Sequence, residues 1–487
     1  MRIERVPLSA LPGHFRPLAA AFAADDPRLR SRFPVPWRDE AAVVAHARRV
    51  AARGLEPEVA AQLDPGPALE KLKSGAAAVV TGQQPSVALG PLYNVYKALT
   101  AIRWARHLEA GGVKAVPVFW NHSDDDNVDG LNRLAFPDGS GGLKAIETAW
   151  EGEGALAFRK ARVNLDALTG HFSPDVLEIL RGNLRGDVAG DFTRLLRALF
   201  GEELLVVEPR RLDGPRARDV FRKALDEPNR VQSLVDEGGD RLKELGFERT
   251  LGHALGSNVY AFDGSRRVRV DNAPPSGARL SAGVALRLIL QDTVLPAALT
   301  VAGPNEACYL AQLRELYAHF GLPGPVVAPR IGATIIDPRA ARIAASLEAT
   351  GADLLSGEEA LRRKAALRTG RDVLASVDEL AGLGQARLEA IESGADGPLR
   401  DLARKTREKV SSVLAAFRER VVAATKESDA VTAERARKLA VQLAPEGKLQ
   451  ERVISVWYFL STAGKDLVSE LRDTLDPFSP DHQLVWL

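Results

Sequence analysis

Residues 79–99 read VVTGQQPSVALGPLYNVYKAL, and this stretch decides the fold class. The small and β-branched run from 76 to 80 ends at a Thr-Gly pair, which predicts a buried strand followed by a sharp turn. From Leu92 onward apolar residues recur at steps of three and four, which predicts a helix with Gly90 and Pro91 at its N-cap and first position. Such a unit holds ligands in many α/β proteins, but it carries neither the GxxxxGK[ST] nor the GxGxxG motif.

The composition of the 487-residue chain is that of a globular protein with more than one domain. Its 65 Lys and Arg residues balance 64 Asp and Glu residues, so neither nucleic acid nor a membrane surface is predicted as a partner. A single cysteine, Cys308, excludes a disulfide framework, and eight histidines without an HExxH pair predict no metal site. The N-terminal residues do not resemble a signal peptide and no apolar run spans a membrane, so we expect a cytoplasmic protein.

Short apolar runs predict the other strands of a parallel sheet. The run at 115–120 completes a strand–helix–strand unit with the first strand, and such units join parallel strands. Runs at 204–207, 299–302 and 326–328 repeat the pattern, whereas 1–75 predicts helices with proline-rich joints.

The region after about residue 340 predicts a helical hairpin. Apolar residues recur at helical spacing in 358–392 and in 399–421, with a Gly/Pro turn at 394–398. Because two such helices cover their apolar stripes only partly, we predict a homodimer built on 358–442. The aromatic tail is predicted to return to the core. The predicted domains are N-terminal helices with the first part of the core (1–137), connecting insertions with some core elements (138–280), the second part of the core (281–338), an antiparallel coiled coil (339–445) and a docking C-terminal segment (446–487).

The first candidate site follows the first predicted strand. Thr81, Gln83 and Gln84 offer hydrogen-bonding groups at its carboxyl end, where parallel sheets bind ligands. Asn94 and Lys97 lie on the first turns of the helix and are expected to face the same cleft. The alternative interpretation is that the amides only cap the helix and that Asn94 and Lys97 are solvated.

The second candidate site follows the strand that ends in PVFW. Its residues are Asn121, His122, Ser123 and three consecutive aspartates, Asp124, Asp125 and Asp126. Three adjacent carboxylates repel one another, so some need a cation, a donor or a shifted pKa. We predict that the aspartates are catalytic, as a general base or as ligands of a substrate ammonium or Mg²⁺. The alternative is a solvated acidic loop that caps a short helix.

The third candidate site is the stretch VAGPNEACYLAQL at 301–313, where a Gly-Pro turn follows another predicted strand. The candidate residues are Gly303, Asn305, Glu306 and Tyr309, of which the first two suit an anion through backbone N–H groups. Cys308 is predicted to be a core residue. Arg287 and Arg330 lie next to this strand and the following one, and suit a carboxylate or phosphate, although structural salt bridges are an equal alternative.

Seven motifs along the chain occur together in the same order. They are TGQQ with GPLYxxYKALxAI, PVFW with its acidic cluster, LRxxxQDxxLP, GPxExxYxAQL, PRIxAT, LQERVxxxxYFLxxxG and the final HxxxxL. From about residue 76 onward the chain therefore resembles the BshC family of bacillithiol biosynthesis. The resemblance implies a Rossmann-like core similar to that of nucleotidylyltransferases and class I aminoacyl-tRNA synthetases, with insertions and a dimerising coiled coil. It also implies a ligase that adds L-cysteine to the amine of glucosaminyl malate, the last step of bacillithiol synthesis.

The acidic cluster departs from the family pattern, which usually reads SEDHD. Asp126 occupies the histidine position, and His122 lies outside it, so the resemblance does not assign the proton transfer. Joining a free carboxylate to an amine needs activation, for which ATP is the expected source, so ATP or ADP is the candidate cofactor; the use of Mg²⁺ stays open. Two alternatives remain: a nucleotidylyltransferase-like enzyme acting on another small acid, and a non-catalytic coiled-coil scaffold, which polar residues at three strand ends disfavour.

Overall fold

The computed structural model, which describes residues 1–11, 13–253, 256–428 and 430–487, divides into two compact units. Unit 1 comprises residues 1–136, 144–334 and 451–485, and unit 2 comprises residues 137–143, 335–450 and 486–487.

The strands are β1 Arg2–Val6, β2 Ala77–Gln83, β3 Ala115–Asn121, β4 Arg133–Pro137, β5 Leu143–Glu147, β6 Leu205–Val207, β7 Val259–Asp263, β8 Arg266–Arg269, β9 Leu280–Ala282, β10 Ala297–Ala302, β11 Val326–Pro329, β12 Ala333–Ile336 and β13 His482–Trp486. The helices are α1 Pro17–Ala23, α2 Glu40–Ala51, α3 Pro57–Ala60, α4 Pro67–Lys73, α5 Tyr93–Ala110, α6 Pro174–Asn183, α7 Val188–Phe200, α8 Pro215–Asp226, α9 Pro228–Glu244, α10 Val284–Val294, α11 Pro304–Leu310, α12 Arg314–His319, α13 Pro338–Ser346, α14 Gly351–Leu355, α15 Glu358–Thr369, α16 Arg371–Gly394, α17 Pro398–Ser428, α18 Ala430–Leu443, α19 Val456–Ala463 and α20 Leu467–Thr474. None of these helices is both long and apolar enough to cross a membrane.

Unit 1 is built on a five-stranded parallel sheet with the strand order β11-β10-β2-β3-β6. All residues of β3, and all of β2 except Gln83, are buried, as expected for strands that are covered on both faces. The prediction of a Rossmann-like parallel sheet is confirmed.

The strand order reverses between β2 and β10. From β2 the chain continues to β3 and β6 on one side of the sheet, whereas β10 and β11 are added on the other side. The loops that follow β2 and β10 therefore lead in opposite directions and leave a crevice at the carboxyl ends of the strands.

Helix α5 begins at Tyr93, two residues later than the sequence pattern predicts. Pro91 forms an isolated β-bridge with Ser455, and the N–H of Leu92 donates to the carbonyl oxygen of Ile454 at 2.9 Å. Gly90 adopts a positive φ of 57°, which suits a tight turn and not a helix start. The returning C-terminal segment thus delays the first helical turn.

Unit 2 contains helices α13 to α18. The predicted hairpin is present as α16 and α17, whose antiparallel arrangement is tied by Arg407 to Glu392 at 2.9 Å and by Arg418 to Asp378 at 2.9 Å. The first predicted arm is divided at Gly370, which ends α15 and precedes α16, so three helices, α15, α16 and α17, stand where two were expected.

The chain termini contribute a small sheet with the order β1-β13-β12. Residues 482–485 of β13 are buried, so this part of the tail lies in the core. The N-terminal region contains the expected helices α1 to α4, but β1 is not part of that prediction.

Candidate active site

A cleft of about 380 Å³ lies at the carboxyl ends of the parallel strands. Ten predicted site residues line it: Gln83, Gln84, Lys97, His122, Asp125, Arg287, Asn305, Glu306, Tyr309 and Arg330. Four further lining residues were not predicted: Tyr93, Val284, Pro304 and Arg452. The side chains come from four strand ends, three helices and the C-terminal segment, because the crevice at the reversal of strand order brings these elements together.

Lys97 is a buried cation that connects two sides of the cleft. Its Nζ lies 2.6 Å from a carboxylate oxygen of Glu306, and its side chain is only 3% exposed. The same ammonium donates to the carbonyl oxygen of Gly82 at 2.5 Å and to Oε1 of Gln83 at 2.9 Å. Burial lowers the pKa of Lys97, and the Glu306 carboxylate opposes that shift. Lys97 is therefore not solvated; it orients the glutamine of the first loop.

Arg330 is held by a carboxylate from the C-terminal segment. Its Nη2 donates to Oε1 of Glu451, a residue that is 1% exposed and also accepts the N–H of Ala333 at 3.0 Å. Burial opposes ionisation of Arg330, but Glu451 outweighs it and raises the pKa of the guanidinium. The salt-bridge alternative thus applies to Arg330, although this residue also lines the cleft.

Arg287 and Arg452 have no carboxylate within ion-pair distance among the residues that the structure describes. Within the described part of the chain, Arg287 forms one side-chain hydrogen bond, to the hydroxyl of Tyr309 at 3.4 Å, and the Nε of each arginine is buried without a hydrogen-bond partner. Burial, together with nearby Arg330, lowers the pKa of Arg452. Two guanidinium groups with unused donors are suited to an anionic ligand.

His122 and Asp125 reach the cleft from the loop after β3. The N–H of His122 donates to the carbonyl oxygen of Gln83 at 2.9 Å. Burial, together with the cations of Arg287 and Lys97, keeps the pKa of His122 well below its usual value, so the ring is neutral at neutral pH. Asp125 is partly exposed and lies 3.8 Å from Arg267.

The other two aspartates of the cluster lie outside the cleft. Asp124 is buried and accepts a hydrogen bond from Ser281 Oγ at 2.6 Å; burial raises the pKa of Asp124, although Arg267 opposes the shift. Asp126 is exposed and lies 3.5 Å from the same arginine. Asp125 therefore lines the cleft together with residues from the other strand ends, whereas Asp124 and Asp126 do not. The alternative of a capped short helix is wrong, because no helix follows the cluster.

Five other predicted residues do not line the cleft: Thr81, Asn94, Asn121, Ser123 and Gly303. Asn94 donates to the carbonyl oxygen of Leu89 at 2.7 Å, so it is buried and holds its own loop. The N–H of Gly303 donates to Glu306 at 2.7 Å and is not available to an anion. Cys308 is buried, and burial raises the pKa of its thiol to about 11, which agrees with a core role.

Of the residues that the sequence analysis missed, Tyr93 was within its reach and Arg452 was not. Tyr93 stands in the first turn of α5, directly after the glutamine loop. Arg452 follows Glu451 in the LQERV motif, a pair of charges at the start of an otherwise apolar segment. No pattern in the sequence connects that segment to strands more than a hundred positions earlier.

A parallel sheet with a polar, cation-rich cleft at its reversal point is typical of a Rossmann-like enzyme. The models of two known domains match almost the whole chain: "Bacillithiol biosynthesis BshC, N-terminal Rossmann-like domain" at residues 58–275 and 272–331, and "Bacillithiol biosynthesis BshC, C-terminal coiled-coil domain" at residues 333–487. The chain belongs to the BshC family.

Curated relatives are similar to this chain over most of its length. A protein of Koribacter versatilis named "Putative cysteine ligase BshC" is 29% identical over 475 residues, which cover 89% of this chain and 87% of the relative. A protein of the same name from Salinibacter ruber is 28% identical and covers 99% of this chain and 98% of its own length. A solved chain titled "putative arginyl t-RNA synthetase" from Campylobacter jejuni matches with a TM-score of 0.22 and 9% identity, covering 87% of this chain and 98% of its own; this similarity is too low to inform the fold.

Proposed function

We propose that this protein is a ligase that forms an amide bond between the carboxyl group of L-cysteine and the free amine of glucosaminyl malate, the last step of bacillithiol biosynthesis. Membership of the BshC family and the name of its curated relatives support a cysteine ligase. The observation that carries the proposed substrate is the pair of uncompensated guanidinium groups in the cleft.

Glucosaminyl malate presents two carboxylates on its malyl group and one amine on its sugar. Arg287 and Arg452 are the cleft cations without a carboxylate partner in the described part of the chain, so we assign them to the malyl carboxylates. Asp125, which lines the same cleft, suits the ammonium group of a substrate. Gln83 and Gln84 offer neutral donors and acceptors, which suit sugar hydroxyls better than phosphate.

A free carboxylate does not acylate an amine at a useful rate, so we expect ATP to activate the carboxyl group of cysteine. Among cleft residues, the arginine donors are the groups whose chemistry fits a phosphate as well as a carboxylate. The loop after β2 offers two glutamines where phosphate-binding loops have glycines. No individual residue is therefore assigned to ATP, and the requirement for ATP is tested by omitting it from the assay.

The test is a mass-spectrometric assay with purified protein, L-cysteine, glucosaminyl malate and ATP, in which each substrate is omitted in turn. We expect a product with the summed mass of the two substrates less one water, and only in the complete mixture. Release of pyrophosphate without an amide would favour a nucleotidylyltransferase, and no product in the complete mixture would refute the ligase.

Two arginine variants sharpen the test of the substrate. Arg452→Met and Arg287→Met should each raise the KM for glucosaminyl malate about 10- to 100-fold, the value of a hydrogen bond to a charged group. Arg404→Met, at an exposed arginine of α17, is the matched control and should leave KM unchanged. With glucosamine, which lacks the malyl group, the variants and the wild type should have equal KM values; a difference would place the arginines elsewhere.

We also propose that unit 2 forms a homodimer through its coiled coil. Helix α16 exposes Val373, Leu380, Leu383 and Ile391, and α17 exposes Leu399, Leu402, Val413 and Phe417, each by 47% or more. The spacing places each set on one helix face, and apolar stripes of this length are rarely left in water. A second copy, with the same stripe, would cover them.

Light scattering at micromolar concentration tests the dimer. We expect a dimer for the wild type and a monomer for Leu383→Glu, which puts a charge into the stripe. Gln385→Glu adds the same charge two residues away, off the stripe, and should stay dimeric. A monomeric wild type would refute the proposal.

A further inference from the structure

We propose that His122 is the general base of the ligation: its imidazole accepts the proton that the substrate amine loses as the C–N bond forms. The inference rests on the proposed function and assigns a catalytic step to a residue that the motifs place only in substrate binding.

The position of the ring is set by two neighbouring strands. His122 directly follows β3, and its N–H is bonded to the carbonyl oxygen of Gln83 at the end of β2. A methyl group on Gly82 would stand 2.6 Å from Nε2 of His122, so the ring packs directly against the backbone of β2. The residue is 7% exposed, and this exposed part lines the cleft.

One ring nitrogen of the neutral imidazole is free to accept a proton. Neither nitrogen forms a hydrogen bond within the described ranges, so the lone pair of the neutral ring is not used by the protein. By contrast, Asp125 accepts the N–H of Asn127 at 3.1 Å, and Glu306 is committed to Lys97. His122 is thus a cleft base whose lone pair forms no hydrogen bond in the described part of the chain.

The positive charges around His122 keep its imidazole unprotonated, which is the form that can accept a proton. Besides burial, Arg287 of α10 and Lys97 of α5 both lower the pKa of the ring, and neither cleft carboxylate forms an ion pair with it. The imidazole therefore stays unprotonated through the neutral pH range. A lower pKa makes it a weaker base, but the reaction does not need a strong one.

The proton to be removed becomes acidic during the reaction itself. The amine reacts in its neutral form: its lone pair forms the C–N bond to the activated cysteine carboxyl, and the leaving group, supplied by a nucleoside triphosphate, departs with its bonding electron pair. The nitrogen is then positively charged next to a carbonyl-derived carbon and loses its proton readily. This proton moves to the lone pair of His122, and from there to water in the open cleft.

The experiment compares steady-state kinetics and imidazole rescue in the ligase assay. His122→Ala should lower kcat about 100-fold or more, as expected for loss of a general base, while KM for both substrates changes less than about threefold. Added imidazole should restore at least about a tenth of the lost rate in His122→Ala but not in His122→Gln, which fills the space. The matched control is His253→Ala, whose side chain is 71% exposed and outside the cleft, and its rate should equal that of the wild type.

The outcomes separate this inference from the proposed function. A wild type that forms no amide refutes the proposed function and the inference together. An active wild type with an equally active His122→Ala variant refutes the inference alone, as does a rate loss in that variant that imidazole does not restore. If the alanine variant does not fold, the kcat of His122→Gln decides: a rate near that of the wild type refutes the inference and a loss of about 100-fold or more supports it.

Discussion

Replacing Glu306 by glutamine tests whether its ion pair with Lys97 holds the cleft together. The substitution leaves the ammonium of Lys97 buried, with the carbonyl oxygen of Gly82 and the amide oxygen of Gln83 as its remaining partners. Removal of one member of a buried ion pair costs about 3–5 kcal/mol. Because the Glu306 side chain is 21% exposed and Lys97 keeps two acceptors, we expect the lower end, about 3 kcal/mol.

A double-mutant cycle with Lys97→Met isolates the pair. Methionine removes the charge but keeps most of the side-chain volume, so the double variant contains no unpaired buried charge. We expect it to be more stable than the sum of the single effects predicts, by about 2 kcal/mol. Urea unfolding followed by tryptophan fluorescence reports on unit 1, because Trp486 is the single tryptophan in unit 2. A coupling free energy below about 0.5 kcal/mol would refute the reasoning.

The same variant has an expected pH dependence. Burial lowers the pKa of Lys97 in the folded state, so the unfolded chain binds more protons between that pKa and the ordinary value of 10.5. Stability therefore rises with pH in this window. Without Glu306 the folded-state pKa of Lys97 falls further, so the pH range in which stability rises extends toward neutral pH. The free energy of unfolding that Glu306→Gln loses should therefore become smaller between about pH 7 and about pH 10. A loss that is independent of pH would contradict a charged, buried lysine.

Two further substitutions test the loops after β2 and β3. Asp125→Asn should lower kcat at least about tenfold with an unchanged melting temperature. Asp126→Asn, on the exposed side of the loop, should change neither kcat nor the melting temperature. Equal kcat values for the two variants would show that Asp125 is a solvated residue without a catalytic role. Gly82→Ala should lower the unfolding free energy by about 1–3 kcal/mol in urea titrations, because the new methyl group would stand 2.6 Å from His122. Gly182→Ala, at the exposed end of α6 with no atom within 4 Å, should instead raise it by about 0.5–1 kcal/mol, and a destabilised control would undermine the steric argument.

The parallel sheet was predictable because its strands are buried on both faces. Runs of small and β-branched residues mark β2, β3, β6, β10 and β11 without any information from the rest of the chain. The outlying strands lack this signal: β8 reads RRVR and β1 reads RIERV, so charged residues occupy most of their positions. Their pairing depends on partners that are distant in sequence.

The cleft was predictable where its residues directly follow a strand, and not beyond that. Asp124, Asp125 and Asp126 are adjacent in sequence, yet one is buried against Ser281, one lines the cleft and one faces solvent. The direction of each side chain in a loop depends on tertiary packing. Arg452 lies outside the prediction because only the folded chain brings it next to β11 and α5.

The return of residues 451–485 to unit 1 has a consequence for the order in which the chain can fold during synthesis. Arg330 leaves the ribosome more than a hundred residues before Glu451, its carboxylate partner, and all of 335–450 is made in between. At about 5–20 residues per second this interval lasts roughly 6–24 seconds. During that time the sheet strands are complete but the cleft has an uncompensated arginine and no Arg452. The helices of unit 2 depend on local contacts, so the growing chain is expected to form them before it completes unit 1.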